Sequence, residues 1–221
     1  MKYIDKSIIL ASKYKQWLDG LTAKGQQHNS YTSSKGKYYY DIIANLIWVQ
    51  QGLCAYSERR MQDHGLCAPS KWSEGKFAKF EFAGHLDHYD CTLKKDYGWL
   101  WANFFLIDAD INTKLKRDKK PSGLQKPDAP DYDPAHYLEY KLPEHIFVPS
   151  RILAFDTQEL INKDISCLGL NFQPIIDIGR EYLAPYLFDV EFEILSIDAA
   201  RRKLTQFFTA FELSLPMIRA L

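Results

Sequence analysis

The sequence predicts a single domain of the α+β class that is predominantly α-helical. Towards both ends of the chain, apolar residues recur at the three- and four-residue spacing of amphipathic helices. Between these stretches lie short segments in which apolar and polar residues partly alternate, a pattern typical of strands. The length of 221 residues and the hydrophobic content of 46% suit one sizeable core.

The first region, residues 1–52, is expected to form N-terminal helices. Helical spacing predicts one helix over 3–22 and a second over 38–52, separated by a polar loop at 25–37. The second helix is apolar around most of its circumference, so we expect it to be mostly buried and to end near Gly52.

The second region, residues 53–120, is expected to hold a small core of strands and one short helix. Residues 53–75 are rich in turn formers and predict irregular structure. A strand is expected to begin within 77–92, and an aromatic segment follows at 96–107. Residues 108–120 predict a short helix that runs out into a basic tail.

The third region, residues 121–221, opens with a loop that contains four of the ten prolines. Two strands, at 137–142 and 145–155, predict a hairpin. Helical spacing then resumes over 157–186 and 195–220, so this region is expected to be a hairpin followed by a helical extension.

Charge and hydropathy bear on the class of function. Lysine plus arginine equals aspartate plus glutamate at 28 each, which argues against a stand-alone nucleic-acid-binding protein. A local basic strip or a partner could still contact phosphates. No segment reaches the roughly 18 uncharged apolar residues of a membrane span. Residues 1–17 lack the features of a signal peptide, so we expect a cytoplasmic protein without membrane association.

One segment of the second region carries residues suited to the hydrolysis of a phosphodiester bond. His88 can take a proton from an attacking water, because an imidazole has a pKa near neutrality. Asp87 and Asn112 offer the oxygen ligands that Mg²⁺ or Mn²⁺ prefers. Asn103 is the candidate for orienting the imidazole, through its side chain or its backbone carbonyl. Each residue alone is a weak signal, and the order and spacing carry the hypothesis.

In order, spacing and flanking residues, this segment resembles the HNH, or ββα-metal, nuclease motif. In that family a strand carries the Asp-His pair, a loop the middle Asn, and a short helix the last Asn or His. The resemblance implies a ββα-metal core flanked by N-terminal and C-terminal helices. It also implies that Asp87 and Asn112 bind one divalent metal, that His88 is the general base and that Asn103 is the positioning residue.

Further blocks resemble one bacterial branch of the family, the PtuB-like nucleases of Septu and retron-linked antiphage systems. The resemblance implies an effector endonuclease that cuts DNA or a structured RNA such as a tRNA. It also implies a PtuA-like ATPase partner and, in the retron-linked systems, a reverse transcriptase with its RNA–DNA hybrid. The blocks are LCAYSERR (53–60), YGWLWANFFLIDADIN (97–112), DPAHYLEY (133–140) and LGLN (168–171).

The sequence departs from that branch at its structural zinc, which two Cys-x-x-Cys pairs bind in many members. Here the first pair reads Cys54-Ala-Tyr-Ser57, and the second falls on Asp108-Ala-Asp110-Ile111. A Cys₄ site cannot form from these residues, so we expect no structural zinc. The alternative is a set of substitute ligands, with Cys54, His64, Cys67, His85 and Cys91 as candidates.

A basic strip directly follows Asn112 and is a candidate for binding the phosphates beside the scissile bond. The other interpretation is a solvated helix end, where cations interact favourably with the helix dipole. The candidate residues are Lys114, Lys116, Arg117, Lys119 and Lys120.

Two other hypotheses stay open. The first is a catalytically inactive HNH-like scaffold that binds partners, which the missing zinc ligands suggest and the complete Asp-His, Asn and Asn set opposes. The second is a zinc-binding interaction module unrelated to nucleases.

Overall fold

The computed structural model describes residues 1–32 and 36–218, and it confirms an α+β chain that is mostly helical. The described residues contain two sheets, each of two antiparallel strands. No helix among them is both long and apolar enough to cross a bilayer. Residues 33–35 of the predicted polar loop and 219–220 of the last predicted helix lie outside the described residues. In chain order the main elements are α1 (Ser12–Ala23), α2 (Tyr39–Val49), β1 (His85–His88), β2 (Phe104–Ile107), a π-helix (Ile111–Lys116), α3 (Pro134–Tyr137), β3 (Leu138–Lys141), β4 (Ile146–Pro149), α4 (Phe155–Cys167), α5 (Gln173–Glu191), α6 (Ile197–Lys203) and α7 (Phe208–Ile218).

The first predicted helix begins only at Ser12, so the prediction is wrong for the residues before it. The backbone there bonds to distant parts of the chain instead. The Ile4 amide donates to the Pro127 carbonyl at 2.8 Å, and the Trp101 indole donates to the Lys6 carbonyl at 3.0 Å. These tertiary bonds satisfy backbone groups of the segment without a helix. Apolar side chains of the segment, such as Ile4, are nevertheless buried.

The second predicted helix is confirmed as α2, and most of its residues are buried. Just after its end, Gln50 ties it to β2. The Gln50 amide nitrogen donates to the carbonyls of Leu53 at 2.9 Å and Leu106 at 2.8 Å. Its amide oxygen accepts from the Leu106 amide at 2.9 Å. A single buried side chain therefore satisfies both backbone polar groups of one β2 residue.

The strand expected within residues 77–92 is confirmed only for β1. β1 pairs with β2 in antiparallel register, from His85 opposite Ile107 to His88 opposite Phe104. The π-helix follows β2 after a short connection, as the prediction of a short helix there requires. The order of the central region is therefore strand, strand, helix.

β2 is buried along its whole length and contributes to two hydrophobic clusters. Phe105 and Ile107 belong to a cluster built largely from the C-terminal helices. Phe104 and Leu106 belong to a second cluster, which contains α2 and the indole of Trp99. Successive side chains of a strand point to opposite faces, so one short strand can serve both clusters.

The C-terminal region follows its prediction closely. β3 and β4 form the expected hairpin, and the two helical stretches are resolved into α4 with α5 and α6 with α7. Gly169, between α4 and α5, has φ +68°, and a Cβ there would lie 2.9 Å from the Leu115 side chain and 3.1 Å from that of Ile111. A glycine is therefore needed for the end of α4 to approach the π-helix this closely.

Replacing Gln50 with alanine is expected to lower the free energy of unfolding by roughly 2–4 kcal/mol, because the Leu106 amide and the Leu53 carbonyl would lose their buried partner. Gln16→Ala, at an exposed position of α1, is the matched control and is expected to change it by less than about 0.5 kcal/mol. Urea unfolding followed by circular dichroism measures both. Equal losses in the two variants would contradict the role given to Gln50.

Candidate active site

Asp87 and His88 end β1, and both are almost fully buried, at 3% and 2% exposure. Asp87 lies opposite Phe105 and His88 opposite Phe104 in the register of the two strands. Side chains of neighbouring strand residues point to opposite faces. The carboxylate and the imidazole, which the sequence places side by side, therefore lie on opposite faces of the hairpin.

The Asp87 carboxylate lies close to the hydroxyl of Tyr56 and the ammonium of Lys116. The Tyr56 hydroxyl donates to its Oδ2 at 2.5 Å, and the Lys116 Nζ lies 3.8 Å from the same oxygen. Burial raises the pKa of Asp87, and the Lys116 ammonium and the Tyr56 hydroxyl act in the opposite direction. Burial and the nearby carboxylate also raise the pKa of Tyr56, so its hydroxyl stays a hydrogen-bond donor.

Among the residues that the structure describes, the ring of His88 has one hydrogen-bond partner, which fixes its tautomer. Its Nε2 lies 2.9 Å from the Gly98 carbonyl oxygen. Because a carbonyl can only accept, Nε2 carries the proton and Nδ1 is left as the basic nitrogen. Burial lowers the pKa of His88 to about 4, so the imidazole is neutral at physiological pH.

Two aromatic rings cover the imidazole. The Tyr31 ring lies edge-on at 4.5 Å and the Phe104 ring at 4.9 Å between centroids. The segment that carries Tyr31 is attached to the loop after β1, where the Tyr31 amide donates to the Lys94 carbonyl at 3.4 Å. A Cβ at Gly98 would lie 2.5 Å from the Tyr31 nitrogen, so only glycine permits this contact. A substrate therefore has no direct access to His88 in this conformation.

Asn103 makes no hydrogen bond to the imidazole, so the prediction that it orients the ring of His88 is wrong. Its side-chain amide bonds to both backbone groups of Asp90, donating at 2.9 Å and accepting at 2.7 Å. Its carbonyl accepts from the Tyr89 amide at 2.9 Å. Asn103 thus holds the backbone that follows His88 in place, and the Gly98 carbonyl orients the ring.

Asn112 lies on the π-helix and is half-buried. Its carbonyl accepts from the Arg117 amide at 2.9 Å, the five-residue separation of a π-helix. Residues four apart on a helix are neighbours on one face. Asn112 therefore lies about one turn before Lys116 on the same helix, and among the described residues it makes no hydrogen bond to Asp87.

Lys116 is fully buried, so the prediction that it binds the phosphates beside the scissile bond is wrong for this conformation. Its Nζ donates to the carbonyl oxygens of Lys119 at 2.6 Å and His88 at 3.2 Å. The physical reason is the buried carboxylate of Asp87, which attracts one cation of the basic strip into the interior.

The other four residues of the basic strip are exposed, as the phosphate-binding hypothesis requires. Two of them already have acidic partners, with Lys114 3.0 Å from Asp110 and Lys120 2.7 Å from Asp90. Exposed pairs of this kind contribute little and can exchange partners. The four are Lys114, Arg117, Lys119 and Lys120.

The cysteines considered as substitute zinc ligands lie in different surroundings. Cys54 is buried, and its Sγ accepts from the Asp108 amide at 3.3 Å; burial raises the pKa of this thiol. Cys67 lies in the cluster around α2, and Cys91 donates to the Asp118 carbonyl at 2.9 Å. Within the part of the chain that the structure describes, no three side chains of His, Cys, Asp or Glu come together as a metal site.

Sequence reasoning missed three groups that shape the site. Tyr56 bonds to Asp87, Gly98 orients His88, and Tyr31 covers the ring. Tyr56 and Gly98 lie inside the family-like blocks at 53–60 and 97–112. Membership of those blocks is the one feature of the sequence that could have indicated their role. Nothing in the local pattern marks Tyr31.

Comparison of the chain with models of known protein families gave no match, and comparison with curated proteins gave none either.

His88 is expected to titrate near pH 4 in the folded, metal-free protein. The unfolded imidazole has a pKa of about 6.5 and takes up its proton first as the pH falls. The contribution of the neutral buried ring to the free energy of unfolding is therefore fully present above about pH 6.5. It is lost as the pH falls from about 6.5 to about 4. NMR of the imidazole Cε1–Hε1 signal measures the titration, and its absence in His88→Gln assigns it. A folded-state midpoint near the unfolded value would show that the ring is open to solvent.

Proposed function

We propose that the chain is a metal-dependent endonuclease of the HNH type that hydrolyses phosphodiester bonds in nucleic acid. The observation that carries the proposal is the order of the central elements. Asp87 and His88 end the first strand of a hairpin, and the helix after the second strand carries Asn112. That is the arrangement that the resemblance to the ββα-metal motif implies.

The two proposed ligands, Asp87 and Asn112, suit a divalent cation. Asp87 and Asn112 are hard oxygen donors of the kind Mg²⁺ and Mn²⁺ prefer. A buried carboxylate that already attracts the Lys116 ammonium is a place where positive charge is favoured. A bound ion would stabilise charge on the scissile phosphate and on the leaving oxygen.

His88 is the proposed general base. The Gly98 carbonyl holds the proton on Nε2, so Nδ1 is the atom that accepts a proton from water. Asn103 keeps the backbone after the imidazole in place through its two bonds to Asp90. Exposed Lys119 and Lys120 are the candidates for holding the flanking phosphates.

The proposed activity requires Asp87 and His88 to become accessible to substrate. Asp87 and His88 are buried, and their side chains lie on opposite faces of the hairpin. Moving the Tyr31 segment would expose the imidazole and return its pKa towards the ordinary value. We assign the trigger to a partner in a cytoplasmic antiphage complex, a PtuA-like ATPase with or without a reverse transcriptase and its RNA–DNA hybrid. The substrate on this proposal is DNA or a structured RNA.

The second candidate function is a catalytically inactive HNH-like scaffold in the same complex. Two observations favour it: the imidazole is covered by the Tyr31 ring, and the carboxylate is paired with an internal ammonium. The two candidates differ in one respect that an assay can measure, the dependence of cleavage on His88.

His88→Ala is expected to lower the rate of cleavage by about 10²- to 10⁴-fold, because the group that accepts the proton from water is lost. Purified protein, alone and with its partner, is incubated with plasmid DNA and total RNA in Mg²⁺ or Mn²⁺. His136→Ala is the matched control, since His136 is exposed and far along the chain from the site. Circular dichroism establishes that both variants fold.

Cleavage that survives in His88→Ala at the rate of the unaltered protein would contradict the proposal. Inactivity of the unaltered protein on both nucleic acids, with and without the partner, would favour the scaffold.

A further inference from the structure

Lys116 is the one residue of the predicted basic strip whose ammonium is directed into the protein. Its side chain has no exposed surface. The Nζ donates to two backbone carbonyls, those of Lys119 at 2.6 Å and His88 at 3.2 Å. Its nearest carboxylate oxygen is Asp87 Oδ2 at 3.8 Å.

Charge balance explains why the ammonium is there. An isolated buried carboxylate or ammonium carries a large desolvation cost, and each offsets part of the cost of the other. The pair is neutral as it stands. A divalent ion bound to Asp87 with the ammonium still in place would leave a net positive charge of two in a buried site, which Coulomb repulsion strongly disfavours.

The backbone just after Lys116 is strained. Arg117 has φ +46° and ψ −127°, an unfavourable combination for a residue with a side chain. The turn from Arg117 to Lys119 supplies one of the two carbonyls that hold the ammonium. Movement of this turn would relieve the strain and release the ammonium together.

We propose that Lys116 is a tethered cation that occupies the metal position at Asp87 in the resting conformation, so that a divalent ion binds only after the ammonium has moved away. The inference rests on the proposed metal site and adds its regulation. Because Lys116 also bonds to the His88 carbonyl, its departure changes the contacts of the residue that carries the general base. Metal binding and rearrangement of the end of β1 are then one event.

Lys116→Met keeps most of the side chain and removes the charge, and it is expected to bind Mn²⁺ at least about tenfold more tightly than the unaltered protein. Isothermal titration calorimetry with MnCl₂ measures the affinity. Lys116→Arg keeps a cation and is expected to stay near the unaltered value. Lys114→Met makes the same change on the exposed side of the same helix, and it is expected to leave the Mn²⁺ affinity unchanged. Asp87→Asn combined with Lys116→Met is expected to abolish the binding.

A second measurement uses the unaltered chain, in case Lys116→Met does not fold. Lysine acetylation by an N-hydroxysuccinimide ester, read by mass spectrometry, is expected to spare Lys116 without metal. Saturating Mn²⁺ is expected to raise the labelling of Lys116 at least about fivefold, because an amine must reach solvent to be acetylated. The labelling of Lys114, which is exposed with and without metal, is expected to stay the same. Mn²⁺ binding that depends on Asp87 while Lys116 stays protected would overturn the inference.

The outcomes separate this inference from the function on which it rests. If Lys116→Met binds Mn²⁺ no more tightly than the unaltered protein, and cleavage still depends on His88, the tethered cation is wrong and the nuclease stands. If no protein in the set binds Mn²⁺ through Asp87, the tethered cation and the metal assignment both fail.

Discussion

The constraint on which the rest of the structure depends is the burial of β2 on both of its faces. Phe105 and Ile107 pack on one side, and Phe104 and Leu106 on the other. β1 lies beside this strand in fixed register, since a slip of one residue would turn every side chain to the opposite face. Asp87 is thereby directed to one cluster and His88 to the other, and each meets a different chemical environment.

Those two environments explain why neighbouring residues have such different partners. On one face, a carboxylate is held by a hydroxyl and a buried ammonium, which lower the cost of keeping negative charge away from water. On the other face, an imidazole is enclosed by aromatic rings and one carbonyl, which favour the neutral form. The backbone that follows His88 is held in place by Asn103 through its bonds to Asp90. The alternation of the strand therefore gives the carboxylate and the imidazole their different surroundings.

Local pattern was enough for the elements whose packing is local. α2 and the hairpin of β3 and β4 could be predicted from periodicity and spacing alone, and the strand that ends in His88 was found through its motif. The extended segment before Ser12 could not, because its backbone bonds to residues about a hundred positions away. The burial of Lys116 could not either. Five cations in a short strip look alike in sequence, and only the folded position of Asp87 selects one of them.

The sharing of one strand by two clusters has a consequence for how the molecule unfolds. If either cluster unfolded alone, one face of β2 would become exposed and its apolar side chains would contact water. Neither half can then persist as a stable partly folded intermediate without the other. The N-terminal and C-terminal helical regions are thus coupled into one cooperative unit.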